Sequence, residues 1–167
     1  MKHTQLYLRL NIALLRACNP ENANDFTIVF QKTSTIFSLE FLNQKGKNYI
    51  SKFQNITRLF ADFLIRADKP MHGISLIARA IKVLRTSNEQ VSSLNTQFAM
   101  LCLKARCLQH ALTLIEHPIT SVMHGTNPLE IATYNFYRGM IYMGLERFTD
   151  AIECYRKVLS QPVSMPH

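Results

Sequence analysis

The sequence predicts an all-α protein, an α-solenoid of stacked antiparallel helical hairpins, and three observations predict it. Apolar residues recur at helical spacing along nearly all of the 167 residues, and no stretch alternates convincingly with the period of a strand. Capping and breaking residues punctuate that pattern at short intervals. In three places a small residue is followed by a second one twelve positions later: Ala61/Gly73, Ala99/Ala111 and Gly139/Ala151. These pairs stand 38 and then 40 residues apart. A chain of this length that is 47% apolar forms one ordinary domain, burying roughly 70% of the surface its unfolded form exposes.

In chain order the expected helices run over 3–17, 25–43, 47–67, 70–85, 89–105, 107–117, 128–144 and 147–160, with no sheet. The opening segment, Met1 to Cys18, could pass for an export signal. Arg9 and Arg16 interrupt the apolar run that such a signal requires, so it reads as an amphipathic helix. Phe26 to Phe30 comes nearest to a strand, yet the apolar pattern continues through Ile36, Phe37, Leu39 and Leu42, a length that favours helix. Ser87 with Gln90, and Asn127 with Glu130, have the spacing of capping boxes, and Pro128 occupies a first-turn position that loses no hydrogen bond. Pro118 has no amide to donate and disfavours helix at His117, and the segment from there to Asn127, with Gly125, is the longest loop. The single domain, 1–167, thus divides into N-terminal helices in 1–46 and repeat hairpins in 47–86, 87–118 and 128–162.

Each hairpin repeats the same packing device. Three residues after the first small residue stand Leu64, Cys102 and Tyr142, and nine after it stand Pro70, Leu108 and Phe148. Four after the second small residue stand Ile77, Ile115 and Tyr155. A small residue on each helix lets two backbones approach, and the large side chain one turn away fills the space beside it. Each hairpin keeps apolar surface in excess and must stack on a neighbour. In the third unit Gly139, Tyr142, Phe148, Ala151 and Tyr155 hold the spacing of a tetratricopeptide repeat, while Asn135 and Arg138 replace its expected aromatic and leucine. The expected architecture is a degenerate, tetratricopeptide-like right-handed superhelix. Gly144 is expected to serve the turn of the third hairpin with left-handed backbone.

Nineteen Lys and Arg against eleven Asp and Glu give a net charge of +8. Thirteen basic and five acidic residues lie in 1–88 and six of each follow, so the excess belongs to the N-terminal half. Such a field speeds association with acidic partners and says nothing about fold. Together with Tyr7, Phe26, Phe30, Tyr49, Phe53 and Phe60 it has the composition of a nucleic-acid surface, but these aromatics fall mainly on apolar helix faces. Charged residues recur in every hydrophobic region, which argues against a membrane span. A soluble intracellular chain with Cys18, Cys102, Cys107 and Cys154 is expected to keep them reduced.

Catalytic chemistry finds little footing. Zinc hydrolases need paired histidines at fixed spacing with a carboxylate, and the chain has neither HxH nor HExxH. Cys102, Cys107 and His110 form a C-x4-C-x2-H set followed by His117 and His124, but repeat phase gives Cys102 the buried place of Leu64 and Tyr142. A catalytic thiol needs a depressed pKa and a positioned histidine, and the neighbouring pair Cys107 and His110 sits inside the repeat scaffold. The five glycines are scattered singly, without a phosphate-binding loop. The expectation is no enzyme activity, no metal, no cofactor and no small-molecule substrate.

Three stretches taken together, Asp68 to Ile81, Leu101 to Leu112 and Tyr137 to Pro162, resemble the N-terminal helical repeats of the third subunit of the constitutive photomorphogenesis 9 signalosome. The matching positions include Lys69, Pro70, Gly73 and Ile74, then Ala105, Cys107 and Ala111, then Gly139, Gly144, Phe148, Tyr155 and Pro162. The resemblance implies a non-catalytic scaffold in cytoplasm and nucleus, whose partners are other signalosome subunits and, indirectly, cullin-RING ubiquitin ligases. The assembly removes a ubiquitin-like modifier from cullins through a metalloprotease in a different subunit. Family members lead into a winged-helix PCI module. The chain stops after Ser164-Met165-Pro166-His167 without one, as a fragment or truncated product does, and Arg138 stands where the family more often has a small residue. The residues themselves leave two rivals: a tetratricopeptide-like adaptor for short peptides, and a basic RNA-associated helical-repeat protein.

Overall fold

The computed structural model describes residues 2–85, 90–117, 119, 121–123 and 127–160. Among these the order is α1 (Lys2–Ala17), α2 (Ala23–Ile36), α3 (Leu39–Lys45), a 3₁₀ turn (Gly46–Tyr49), α4 (Ile50–Arg66), α5 (Met71–Leu84), β1 (Gln90–Val91), α6 (Ser93–Lys104), α7 (Leu108–Ile115), β2 (Ser121–Val122), α8 (Pro128–Gly144) and α9 (Phe148–Leu159). The described residues are all-α apart from one short bridge, in which β1 and β2 pair in parallel with Gln90 opposite Ser121 and Val91 opposite Val122. The sequence expectation of no sheet is corrected to that extent. Two-residue strands have no period to detect, and this one joins segments 31 residues apart.

Two helix boundaries also differ for local reasons. The expected helix 25–43 is two helices that break at Phe37 and Ser38. Ser34 and Thr35 hydroxyls both donate to the Gln31 carbonyl, side-chain bonds that compete with the backbone ladder, and Ser38 Oγ then accepts from the Phe41 amide to start α3. α6 begins at Ser93 rather than near 89, because Ser92 and Asn95 form its capping box. The expected box partner Gln90 lies in β1 instead, and Ser87 falls outside the described residues. The expected box at Asn127 and Glu130 is formed: Asn127 Oδ1 accepts from the Leu129 amide at 2.9 Å, and Glu130 Oε2 accepts from the Asn127 amide at 3.2 Å. Pro118, Gly125 and His124 lie outside the described residues.

The helices stack in order. α1 packs on α4, α4 on α6 and α6 on α8, while α5 also lies against α6 and α7 against α8. Within the N-terminal part, Phe26, Phe30, Phe37 and Phe41 meet Phe53, Phe60 and Phe63 of α4, with ring centroids 6.0 to 6.4 Å apart. Rings at these separations gain quadrupolar contact beyond their area burial. They fill the core of the basic half and do not form an open stacking platform. Among the described residues no helix is long and apolar enough to cross a membrane.

Candidate functional site

The hairpin positions come first, because they decide which surfaces remain for function. Ala61, Ala99, Ala111 and Ala151 are fully buried, and Gly73 and Gly139 are buried with them. A Cβ at Gly73 would press on the Leu64 side chain and stand 2.9 Å from Leu101 Cδ1; one at Gly139 would stand 2.5 Å from the Tyr155 ring. Leu64, Cys102 and Tyr142 are buried at equivalent places, and Tyr155 is half-buried against Gly139. Tyr142 also donates its hydroxyl to the Ile115 carbonyl at 3.3 Å, tying the third hairpin to the second. Phe148, expected inside the hairpin, is 54% exposed. It begins α9 on a side that no described helix covers.

The turns repeat as well. Lys69, Cys107 and Arg147 amides each donate to the carbonyl five residues back, those of Leu64, Cys102 and Tyr142, all at 2.9 Å. Asp68, Arg106 and Glu146 amides donate to Ile65, Leu103 and Met143 carbonyls. This pair of bonds is the Schellman closure of a helix C-terminus, which needs one left-handed residue. Asp68, Arg106 and Glu146 supply it, with φ of 54°, 56° and 60°. Their spacing of 38 and 40 residues is the spacing of the small pairs. The expectation for Gly144 is therefore corrected. It is the last helical residue of α8, and a Cβ there would lie 2.5 Å from Leu108 Cδ1, so it gives room to the preceding hairpin rather than making the turn.

Arg138, a departure from the repeat pattern, is only 6% exposed. Its guanidinium lies between the rings of Tyr134 and Tyr142, 5.7 and 5.8 Å from their centroids, within the reach of cation–π attraction. Nε and Nη1 have no hydrogen-bond partner. Burial works against the charged form, but the tyrosines and Cys154 offset it and raise the pKa above its ordinary value. Burial also pushes the Tyr134 phenol up to about 12. Beside Arg138 a cavity of about 180 Å³ is lined by Glu116, Arg147, Asp150, Glu153 and Lys157. Arg147 bridges Glu116 and Asp150, the latter at 2.7 Å, and Lys157 pairs with Glu153 at 2.6 Å. The cavity's carboxylates are thus already engaged, and no nucleophile is activated within it. The signal was in the sequence: Tyr134, Arg138 and Tyr142 follow at four-residue steps on one helix face.

The cysteines and histidines do not converge. Burial pushes the Cys102 thiol up to about 12, the reverse of what a nucleophile needs. Cys107 is half-buried with Sγ 3.1 Å from Met71 Sδ, and His110 is exposed beside the Phe98 ring. Cys18 is half-buried and Cys154 buried, both as free thiols. Among the described residues no three His, Cys, Asp or Glu side chains gather as metal ligands do.

Comparison with known proteins agrees with a helical repeat. The profile of the family described as COP9 signalosome complex subunit 3, N-terminal helical repeats, matches residues 3–166. The chain is 26% identical over 112 residues to the COP9 signalosome complex subunit 3 of Arabidopsis thaliana, covering 67% of this chain and 25% of that protein. It is 25% identical over 120 residues to the Dictyostelium discoideum protein of the same name, covering 68% and 28%. The chain thus spans about a quarter of the length of these relatives. With a profile match over nearly its whole length and the stacked hairpins to go with it, the chain belongs to the family of COP9 signalosome subunit 3 N-terminal helical repeats.

Proposed function

We propose that the chain is a non-catalytic scaffold segment of the signalosome, binding neighbouring subunits through its repeat surfaces, in cytoplasm and nucleus. The assembly it serves removes a ubiquitin-like modifier from the cullins of cullin-RING ubiquitin ligases, with the chemistry in another subunit. The observation that carries this reading is the family match over residues 3–166. Two features of the molecule support it. The polar groups that do meet, around Arg138, are held in ion pairs or between rings. The thiols Cys102 and Cys154 are raised in pKa by burial.

Co-purification tests the proposal. Tagged chain expressed in cells is expected to retain signalosome subunits after a high-salt wash, because contacts made by packed apolar faces persist when charges are screened. Loss of every subunit in that wash, with RNA recovered in their place at low salt, overturns it in favour of a basic RNA-associated protein. Saturable capture of one short peptide without subunits favours an adaptor.

A further inference from the structure

Three stacked helices bring their N-terminal halves to one polar cavity. It measures about 190 Å³ and is lined by Gln54, Asn55 and Arg58 of α4, Ser93 of α6 and Glu130 of α8. Ser93 is the first residue of α6 and Glu130 the third of α8, so the N-termini of both helices open onto it. The Thr96 hydroxyl donates to the Glu130 carbonyl at 3.2 Å and ties the two first turns together.

Two donors on the cavity wall lack an acceptor. Ser93 is only 4% exposed, and its hydroxyl has no hydrogen-bond partner; neither has the buried Nε2 of Gln54. A buried donor left unpaired forfeits its hydration, so two of them on one wall mark a place where an acceptor belongs. The capping box of α6 occupies the amides of Ser92 and Asn95. It leaves those of Ser93 and Leu94, for which a helix offers no internal acceptor. Arg58 donates from Nη2 to Asn55 Oδ1 at 3.3 Å, which holds its guanidinium at the rim.

The charges of the wall decide what kind of acceptor fits. Arg58 and Glu130 cancel, and Glu130 Oε2 is turned to its own helix, where it accepts from the Asn127 amide at 3.2 Å. Each helix N-terminus carries roughly +0.5 of a charge, so about one negative charge remains to be met. The first turn of α6 holds no acidic residue to meet it. Water satisfies the donors but not the charge, and a dianion overshoots it and is repelled by Glu130. A carboxylate brings one charge and two acceptor oxygens.

We propose that this cavity binds a single carboxylate group, held by the Ser93 hydroxyl, the Gln54 side-chain amide, the Arg58 guanidinium and the first amides of α6. Basic residues outnumber acidic ones thirteen to five in 1–88, a field that draws an anion toward this part of the chain. The carboxylate belongs either to an acidic side chain of a protein or to a small free acid.

The test is an NMR titration of the 167-residue chain with acetate, with a blocked peptide carrying one aspartate, and with sulfate, each at constant ionic strength set by chloride. Acetate and the peptide are expected to shift the Ser93 and Leu94 backbone amides and the Gln54 side-chain amide saturably, and sulfate to bind more weakly than either. Ser93→Ala and Arg58→Gln are each expected to weaken binding by about tenfold, the loss of a hydrogen bond to a charged group. Glu130→Gln, which keeps the capping box, is expected to tighten it. Lys82→Gln, an equal charge change at an exposed position of α5, is expected to leave it unchanged. Ser93→Ala removes a hydroxyl that bonds to nothing, so its melt is expected to match wild type or exceed it, which separates lost binding from lost folding. A peptide that binds about tenfold or more tighter than acetate identifies the occupant as an acidic side chain, and equal affinities identify a free acid. Shifts that grow without saturating, binding that Ser93→Ala and Arg58→Gln leave intact, or sulfate binding more tightly than acetate each overturn the site.

Discussion

Gly139 and Gly73 look interchangeable in the repeat, but their surroundings differ. A methyl group at Gly139 meets three atoms of the Tyr155 ring within 3.0 Å, whereas at Gly73 it meets the methyl ends of Leu64 and Leu101. Leucine methyls can turn aside, while a ring held against a helix moves as a unit. Replacing a helical glycine by alanine gains about 1 kcal/mol in propensity, and overpacking costs about 1–3 kcal/mol. Gly73→Ala is therefore expected to be nearly neutral and Gly139→Ala destabilising by about 1 kcal/mol, read from urea unfolding midpoints. Buried titratable side chains add a pH dependence of known sign. The Cys102 thiol is raised from 9.0 to about 12 and the Tyr134 phenol from 10.0 to about 12. Raised acids hold more protons when folded, so their contribution is complete below pH 9 and drains away as pH climbs through the folded values. The unfolding midpoint is expected to fall between about pH 9 and 12, and Cys102→Ala to make that fall shallower without moving its onset, because the Cys154 thiol is raised from 9.0 as well.

At the level of helices and turns, what the sequence made legible was what local chemistry decides. The capping box at Asn127, the length of α8 and the phase of Ala61, Ala99 and Gly139 follow from residues within one or two turns of one another. The break at Ser38 was also local, but its cause is a run of hydroxyls that an apolar count passes over. The β1–β2 bridge and the cover over Leu108 depend on partners one repeat away, so no window of sequence contains them. The exposure of Ile152 belongs to this second kind, since Ile152 and the buried Ile74 look alike until their neighbours are known. The turns show how the two kinds mix. Glycine is the expected left-handed residue, yet the backbone assigns that place to Asp68, Arg106 and Glu146, and Gly144 is spent on packing. A left-handed L-residue costs about 1–2 kcal/mol, part of which glycine returns as chain entropy. Glu146→Gly is expected to stabilise by about 0.5–1 kcal/mol, and Asp68→Gly by less because Asp tolerates this region better, both measured by thermal melts.

Across the whole molecule, charge and packing follow different maps. The stack is continuous from α1 to α9, with each hairpin bearing on its neighbour. The charge is not: thirteen basic residues meet only five acidic ones in 1–88, while Arg147, Glu116, Asp150, Lys157 and Glu153 are mutually paired in the balanced remainder. Salt acts oppositely on the two regions, screening repulsion in the first and attraction in the second. The paired side chains are 39% to 64% exposed, where screening by solvent leaves an ion pair little net stabilisation. Unbalanced charge in the first region acts over every helix from α1 to α5, and self-repulsion of this kind opposes the compact state. Repulsion is therefore the larger effect. Raising salt from about 20 to 200 mM, which shortens the screening length from roughly 20 to 7 Å, is expected to raise the melting temperature. Glu116→Gln is expected to lower it slightly at low salt and not at all at high salt. A melting temperature that falls steadily as salt is added means that the ion pairs around Arg147 outweigh the N-terminal excess, and this ordering of the two effects is then wrong.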